Sequence, residues 1–398
     1  MTAHSAVDVG ETAPKRQKSN WKKWLAIIVA LLVVVGVVIG IVVWKTTSKK
    51  DNSRGQNSGS GSKGDELDTA NYIGLLGTSG VVKSDPSDPS KFEKDTRLTR
   101  SFYGMAYVPW GAHDETNCQA TLANVTQDIQ LLSQLTHNLR LYGSGCDQTG
   151  LTLQAISDTK SDLLIMPAVY VSRLEPEVTV RQFNFVLDAV RKYGVKNTNG
   201  IIIGNEVILN YADPTFTGNY NQTSIREAID TIIQTMEYMR GNLTALNMLV
   251  DVGTSDAGSA INARLTRAAD FILPNIHPFI GGLGASQAAE WTWGFFEGNN
   301  VIHTNGTNTK AYIGEVGWPT DSLTAEDSVV GNAVAGVPQS QTFMDSFVCP
   351  SNSANIKYFY FEPFDEPWKA VYGGVEPFWG IFDANRVLKN LRLPDCSL

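Results

Sequence analysis

A parallel (β/α)8 barrel preceded by a single transmembrane helix and a flexible linker is the architecture the sequence predicts. Three observations carry it. Apolar strand-like runs alternate with amphipathic helical stretches over roughly three hundred residues, as a barrel of eight βα units requires. An uncharged apolar run fills residues 25–44. Between the two lies a polar stretch rich in Gly and Ser.

Residues 1–24 are polar, with Lys15, Arg16, Lys18, Lys22 and Lys23 outweighing Asp8 and Glu11, and read as a cytoplasmic segment. Residues 25–44 are long enough to span a bilayer, since about 20 apolar residues match its hydrocarbon thickness. Trp21, Trp24 and Trp44 stand near the ends of the run, where amphipathic rings prefer the interface. A core helix of this length would show a polar face, and a cleaved signal peptide has a shorter apolar core with a small-residue cleavage site. Lys45, Lys49 and Lys50 follow the span, so charge favours a cytoplasmic N-terminus only by a small excess. Residues 45–99 read as linker and stalk. Their stretch 51–64 (DNSRGQNSGSGSKG) is too poor in apolar residues to pack.

A folded domain is expected over 100–398, beginning near Phe102. Strands are expected at 102–108, 138–142, 163–171, 200–205, 247–252, 271–276, 311–315 and 356–361. Helices are expected at 120–135, 150–158, 178–193, 223–241, 261–269, 286–298, 338–347 and 385–391. No GxGxxG follows the first strand, so neither a dinucleotide fold nor a cofactor is implied. The net charge of −8 supplies no basic face for nucleic acid. Cys118, Cys146, Cys349 and Cys396 form no CxxC, and no His lies at zinc-ligand spacing from them, so no metal site is expected.

In such a barrel, functional groups stand at the C-terminal ends of strands. Two expected strands end in glutamate: GIIIGNEV at 200–207 carries Glu206, and AYIGEVGWP at 311–319 carries Glu315. A carboxylate ending an apolar strand is costly to bury unless something pairs with it or uses it. One such Glu is as well explained by a structural ion pair; two on the fourth and seventh strands suggest more. Retaining glycoside hydrolysis needs one carboxyl to protonate the leaving oxygen and a second, about 5 Å away, to attack the anomeric carbon. Asn205 offers an amide donor to a sugar 2-hydroxyl, and Trp318 a flat apolar face for a pyranose ring.

The ordered stretches SFYGMAY, VTQDIQLLSQLT, LRLYG, IIIGNEVILNY, VGTSDAGS, NIHPF, YIGEVGWPT, YFYFEPFDEPWK and GGVEPFWGIF resemble glycoside hydrolase family 17, the glucan endo-1,3-β-glucosidases. The resemblance runs from about Phe102 to Cys396 and is best to the family's fungal type II membrane members. It implies Glu206 as proton donor, Glu315 as nucleophile and β-1,3-glucan of the cell wall as substrate. It also implies Tyr142 and His277, with Asn205, around the scissile bond, and Glu366 and Lys369 as substrate or charge-network contacts. For His277, a hydrogen-bonded histidine beside Pro278 is the competing reading. Asp365 and Glu362 read as ion-pair partners of Arg or Lys. The chain departs from the family at Ser144-Gly145-Cys146, at Val316 and at 166–170, which opens the balance between hydrolysis and glucanosyl transfer. A noncatalytic glucan-binding protein would be expected to lack one of the glutamates.

Asn124, Asn221, Asn242 and Asn305 are each followed two residues later by Thr and are candidate glycosylation sites. They place the barrel outside the cytosol, on a single-pass type II protein of the cell membrane facing the wall, where disulfides persist. Cys118 and Cys146 lie in loops at the C-terminal face of neighbouring units, whereas Cys349 and Cys396 follow helices that end at the opposite face. A bridge between faces would exceed the roughly 7 Å limit on Cα separation. The expected pairs are therefore Cys118–Cys146 and Cys349–Cys396.

Overall fold

A computed structural model of the chain describes residues 82–85, 87–112, 118–172, 174–212 and 222–396. The expected span, the cytoplasmic segment, most of the linker and Asn221 lie outside them. Among the described residues no helix is long and apolar enough to cross a membrane.

An antiparallel hairpin of β1 (Ser84–Asp85) and β2 (Asp88–Phe92) comes first. The barrel strands follow: β3 (Phe102–Ala106), β4 (Thr136–Arg140), β5 (Leu164–Met166) with β6 (Ala168–Val169), β7 (Ile201–Asn205), β8 (Val252–Ala257), β9 (Phe271–Asn275), β11 (Ile313–Val316) and β14 (Tyr358–Tyr360). All pair in parallel, in the order β5-β4-β3-β14-β11-β9-β8-β7-β6, and β10 (Lys310–Ala311) adds to β9.

The ring closes through its third strand, which Pro167 divides. Proline has no N–H to give to a ladder. Hence β5 pairs β4 and β6 pairs β7, with Met166 accepting from Leu141 at 3.0 Å and Pro167 from Ile202 at 2.9 Å. The segment reads as one strand of 163–171 in sequence because both halves are apolar.

Helices α1 (Leu122–Leu132), α2 (Gln148–Thr159), α3 (Pro176–Tyr193), α4 (Val207–Ala212), α5 (Gln222–Ala245), α6 (Ala263–Ala268), α7 (Ala285–Asn299) and α8 (Val337–Ser353) join the strands. A small hairpin of β12 (Val329–Val330) and β13 (Ala333–Val334) follows β11. Helix α3 shows why the periodic reading works. Phe183, Val186, Leu187 and Val190 fall at i, i+3, i+4 and i+7 and are all buried. Pro176 opens the helix with the φ it needs, and Arg191 and Lys192 complement its C-terminal dipole. In β7 the consecutive Ile201, Ile202 and Ile203 are buried on both faces, as parallel strands are.

Four expectations are corrected. Folded chain begins before Phe102: Val82 and Leu98 are buried, and Gln130 donates to the Pro89 carbonyl at 2.8 Å, so the linker ends earlier than residue 99. The fifth barrel strand is 252–257, not 247–252. The apolar Leu249 is almost wholly exposed in coil, whereas Thr254, Ser255 and Asp256 of β8 are buried polar residues with hydrogen-bond partners. The expected helix at 385–391 does not form. The Asp383 carboxylate captures the N–H groups of Asn385 and Val387, Arg386 takes a left-handed φ of 65°, and its guanidinium is buried against Asp128 at 2.6 Å. Cys349 lies within α8, which runs on to Ser353, and Cys396 follows coil.

Both expected disulfides are present, with Cα separations of 5.0 Å for Cys118–Cys146 and 5.8 Å for Cys349–Cys396.

Candidate active site

Glu206 owes its position to a kink. Gly204 has a φ of +76°, and a Cβ there would meet Val207 Cγ2 at 2.5 Å. The register of β7 against β8 shifts between Ile202 and Asn205, a bulge that re-aims the residues after it. Glu206 then takes a φ of 53° and its N–H donates to the Ser255 carbonyl at 3.2 Å. Asn205 and Glu206 consequently face the barrel mouth.

Glu315 lies within β11, and Gly314 before it is required by close approach: a Cβ would meet the Leu273 carbonyl oxygen of β9 at 2.6 Å. The two glutamates meet in one network built on a residue the sequence reading passed over. Arg140, at the end of β4, is wholly buried. Its Nη1 donates to Glu315 Oε1 at 2.8 Å, to the Gly314 carbonyl at 2.7 Å and to Asn275 Oδ1 at 3.2 Å. Its Nη2 donates to Asn205 Oδ1 at 2.5 Å and to Ser255 Oγ at 2.8 Å. Asn275, also passed over, donates through Nδ2 to Glu206 Oε1 and Asn205 Oδ1, both at 3.1 Å. One asparagine thus touches the first glutamate and, through Arg140, the second. A strand-end Arg beside apolar residues in LRLYG was the available signal, because a buried guanidinium needs carboxylate partners.

His277 lines the cleft and is hydrogen-bonded: its Nε2 lies 2.9 Å from Glu315 Oε2, and its ring packs edge-on against Phe361 and Trp379. The Tyr142 ring lies under Arg140, with Cζ 4.5 Å from its centroid, and its buried hydroxyl adjoins Glu315. Since Asn205 Oδ1 is taken by Arg140 and Asn275, its amide nitrogen is the end left for a ligand.

These residues line a cleft of about 320 Å³ with Val108, Ile280, Phe361, Glu366, Trp368, Lys369, Glu376 and Trp379. On its far wall Lys369 Nζ is held by Glu362 at 3.0 and 3.2 Å and by Glu366 at 2.5 Å. Glu366 and Lys369 thus both line the cleft and belong to one charge network. Glu362 pairs with Lys369 and Asp365 with Lys389 at 2.6 Å, as ion-pair partners. Trp318 is not a sugar platform. It is fully buried between Phe279 and Phe343, and its Nε1 donates to the Val334 carbonyl at 2.9 Å. The indoles that line the cleft belong to Trp368 and Trp379.

The surroundings push the two glutamates apart. Burial alone would raise Glu315, but the Arg140 charge, together with His277 and Tyr142, overcomes it and holds the carboxyl at about 2. Glu206, with part of its surface opening to the cleft, is raised above its ordinary 4.5, first by burial and then by the negative charge of Glu315. Burial and the neighbouring Glu366 push Glu362 well up, and burial likewise raises Glu376. One group is thus held as an anion and the other tends to keep its proton.

Residues 104–380 match the family model described as the BtgE/BtgC glycoside hydrolase domain. The chain is similar to a probable glucan endo-1,3-β-glucosidase btgC of Aspergillus terreus, 35% identical over 336 residues, covering 80% of this chain and 49% of that protein. It is similar to glucan endo-1,3-β-glucosidase btgC of Emericella nidulans, 37% identical over 317 residues, covering 75% and 47%. The chain spans about half the length of these curated relatives. Among solved structures it resembles a glycoside hydrolase family 17 β-1,3-glucanosyltransferase from Rhizomucor miehei, 23% identical, covering 73% of this chain and 97% of that one, with a TM-score of 0.58. That likeness shows the barrel fold.

Proposed function

We propose, from the premise that this chain belongs to the BtgE/BtgC glycoside hydrolase family, that it cleaves β-1,3-glucan with retention at the anomeric carbon. The observation that carries the reading is the opposed ionisation of Glu315 and Glu206 in one cleft. Paired carboxyls driven apart in this way divide into anion and acid.

The Glu315 carboxylate attacks the anomeric carbon while Glu206 gives its proton to the departing glycosidic oxygen, forming a glycosyl-enzyme. Glu206, now a carboxylate, takes a proton from water, which attacks the same carbon and releases Glu315. Arg140 and His277 fix the two oxygens of the nucleophile in advance, so little reorganisation is left for the reaction step. The Asn205 amide nitrogen is available to donate to the sugar 2-hydroxyl, and the half-buried Trp368 offers an apolar face to a pyranose ring, backed by the fully buried Trp379. The printed names of the btgC relatives support β-1,3-glucan as substrate.

Digestion of laminari-oligosaccharides by the purified ectodomain tests this. Shorter products with the β-configuration at the new reducing end are expected, and α-products would refute retention. Products longer than the substrate would show that a sugar hydroxyl, rather than water, resolves the intermediate.

We propose further that residues 25–44 span the cell membrane with residues 1–24 in the cytosol and the barrel facing the wall. The two disulfides support an oxidising compartment. Of the described sequons, Asn305 is exposed, whereas Asn124 and Asn242 are half-buried on helices, so Asn305 is the favoured glycan site. Protease added to the cytosolic side of sealed vesicles should leave the barrel intact; its digestion there would reverse the topology.

A further inference from the structure

Asp256, in β8, is a fully buried carboxylate that the mechanism above does not use. Its Oδ2 accepts the Ile208 N–H at 2.7 Å, and its Oδ1 accepts those of Leu209 at 3.3 Å and Ala257 at 2.9 Å. Ile208 and Leu209 are the second and third residues of α4, the helix that begins directly after Glu206. Glu206 is the capping position of that helix, because its carbonyl already accepts the Asn210 N–H at 3.0 Å. A capping residue ordinarily bonds the second or third N–H with its own side chain. Glu206 does not, since its carboxyl is turned to Asn275 and the cleft. A carboxylate from the neighbouring strand occupies the place instead.

We infer that Asp256 is the positioning residue of the acid/base. By capping α4 from β8 it releases the Glu206 side chain for the cleft and fixes the left-handed backbone that aims it. The inference rests on the reading of Glu206 as the acid/base. Substituting Asp256 uncaps the helix, which leaves Glu206 its N–H on the Ser255 carbonyl, its carbonyl on the Asn210 N–H and its carboxyl on Asn275.

The coupling is electrostatic as well. Burial pushes Asp256 up to about 7, with the Glu206 charge adding to the rise. The charged groups facing Glu206 in turn are Glu315, His277 and Arg140. Loss of the Glu206 proton opposes loss from Asp256, so removing the Glu206 charge lowers the pKa of Asp256.

The test measures kcat and KM separately on laminari-oligosaccharides for Asp256→Asn and Asp256→Ala. A displacement on the order of 1 Å at a catalytic group costs about a hundredfold. Asp256→Ala is expected to lose about that in kcat with little change in KM, and Asp256→Asn, which keeps one oxygen to accept from the helix, to recover part of the loss. A folded Asp256→Ala with the wild-type kcat, or a loss that appears in KM alone, would overturn the inference. Should both variants fail to fold, Glu206→Gln provides the reciprocal measurement, because its amide keeps the shape. Isotope-edited carboxyl NMR should find Asp256 titrating lower in Glu206→Gln than in the wild type, and an unchanged titration would overturn the coupling. Wild-type activity in Glu206→Gln would instead refute the acid/base assignment itself, which separates the two failures.

Discussion

The ends of β7 and β11 carry the same side chain in contrasting surroundings. At β11, Glu315 sits inside the strand and each of its oxygens meets a nitrogen, one from Arg140 and one from His277. At β7, Glu206 lies just past the strand on a left-handed turn, with one oxygen on the neutral Asn275 amide and the charge of Glu315 nearby. Burial raises both carboxyls, and only the first is bonded directly to the Arg140 guanidinium, which reverses the effect there and acts more weakly on Glu206. The chemistry of a buried glutamate is decided by what faces it. The division of labour therefore resides largely in Arg140 and Asn275, residues that need not themselves react.

The largest effect should come from Glu315→Gln, which removes the proposed nucleophile and leaves an isosteric amide in its place. Hydrolysis of laminarin is expected to fall on the order of 10⁴-fold or more, with the thermal transition retained. A residual rate near wild type would erase the contrast.

Glu206→Gln should cost less, about 10²–10⁴-fold on glucan, as loss of one acid/base does. The loss should shrink on aryl glucosides whose leaving group departs without a proton. Equal loss on both substrates would show that Glu206 serves some other purpose.

Arg140→Met sharpens the comparison by removing the charge that separates the sites. In the wild type, kcat/KM should decline on the acid side as Glu315 takes a proton near its pKa of about 2, and on the alkaline side as Glu206 loses one above its ordinary 4.5. Without Arg140, Glu315 loses the largest influence that lowers it, so the acid limb should move to higher pH. An acid limb that stays in place would mean that His277 and Tyr142 suffice.

The smallest catalytic effect is expected at the indoles. Trp368→Ala should raise KM for oligosaccharides with little change in stability, whereas Trp318→Ala should cost about 3–5 kcal/mol of stability through cavity formation. Isothermal binding and thermal unfolding distinguish them, and reversed outcomes would return Trp318 to the cleft.

The barrel was legible because its signals are local. Consecutive apolar strands and the apolar stripe of α3 repeat over a few residues, and both strand-end glutamates stood out against apolar neighbours. The disulfides followed from which barrel face each loop occupies, even though Cys349 proved to lie within a helix. Features set by distant partners were hidden. The strand β8 looked like a loop because its buried Thr254, Ser255 and Asp256 are matched by groups elsewhere in the chain. The segment 385–391 looked helical because its capture by Asp383 and the burial of Arg386 against Asp128 depend on the assembled fold. Trp318 and Trp368 differ only in which way the chain turns them. For the same reason Arg140 and Asn275 were overlooked: an Arg and an Asn acquire meaning only when the strands beside them are in place.

The claim that one glutamate attacks while the other gives a proton is tested most directly by trapping the intermediate. A laminaribioside fluorinated beside its anomeric carbon and bearing a good leaving group should form a slowly hydrolysed ester, detected as a mass increase on the intact protein. Peptide mapping should place the sugar on Glu315 in the wild type. Label on Glu206, or turnover with inversion and no adduct, would contradict the account.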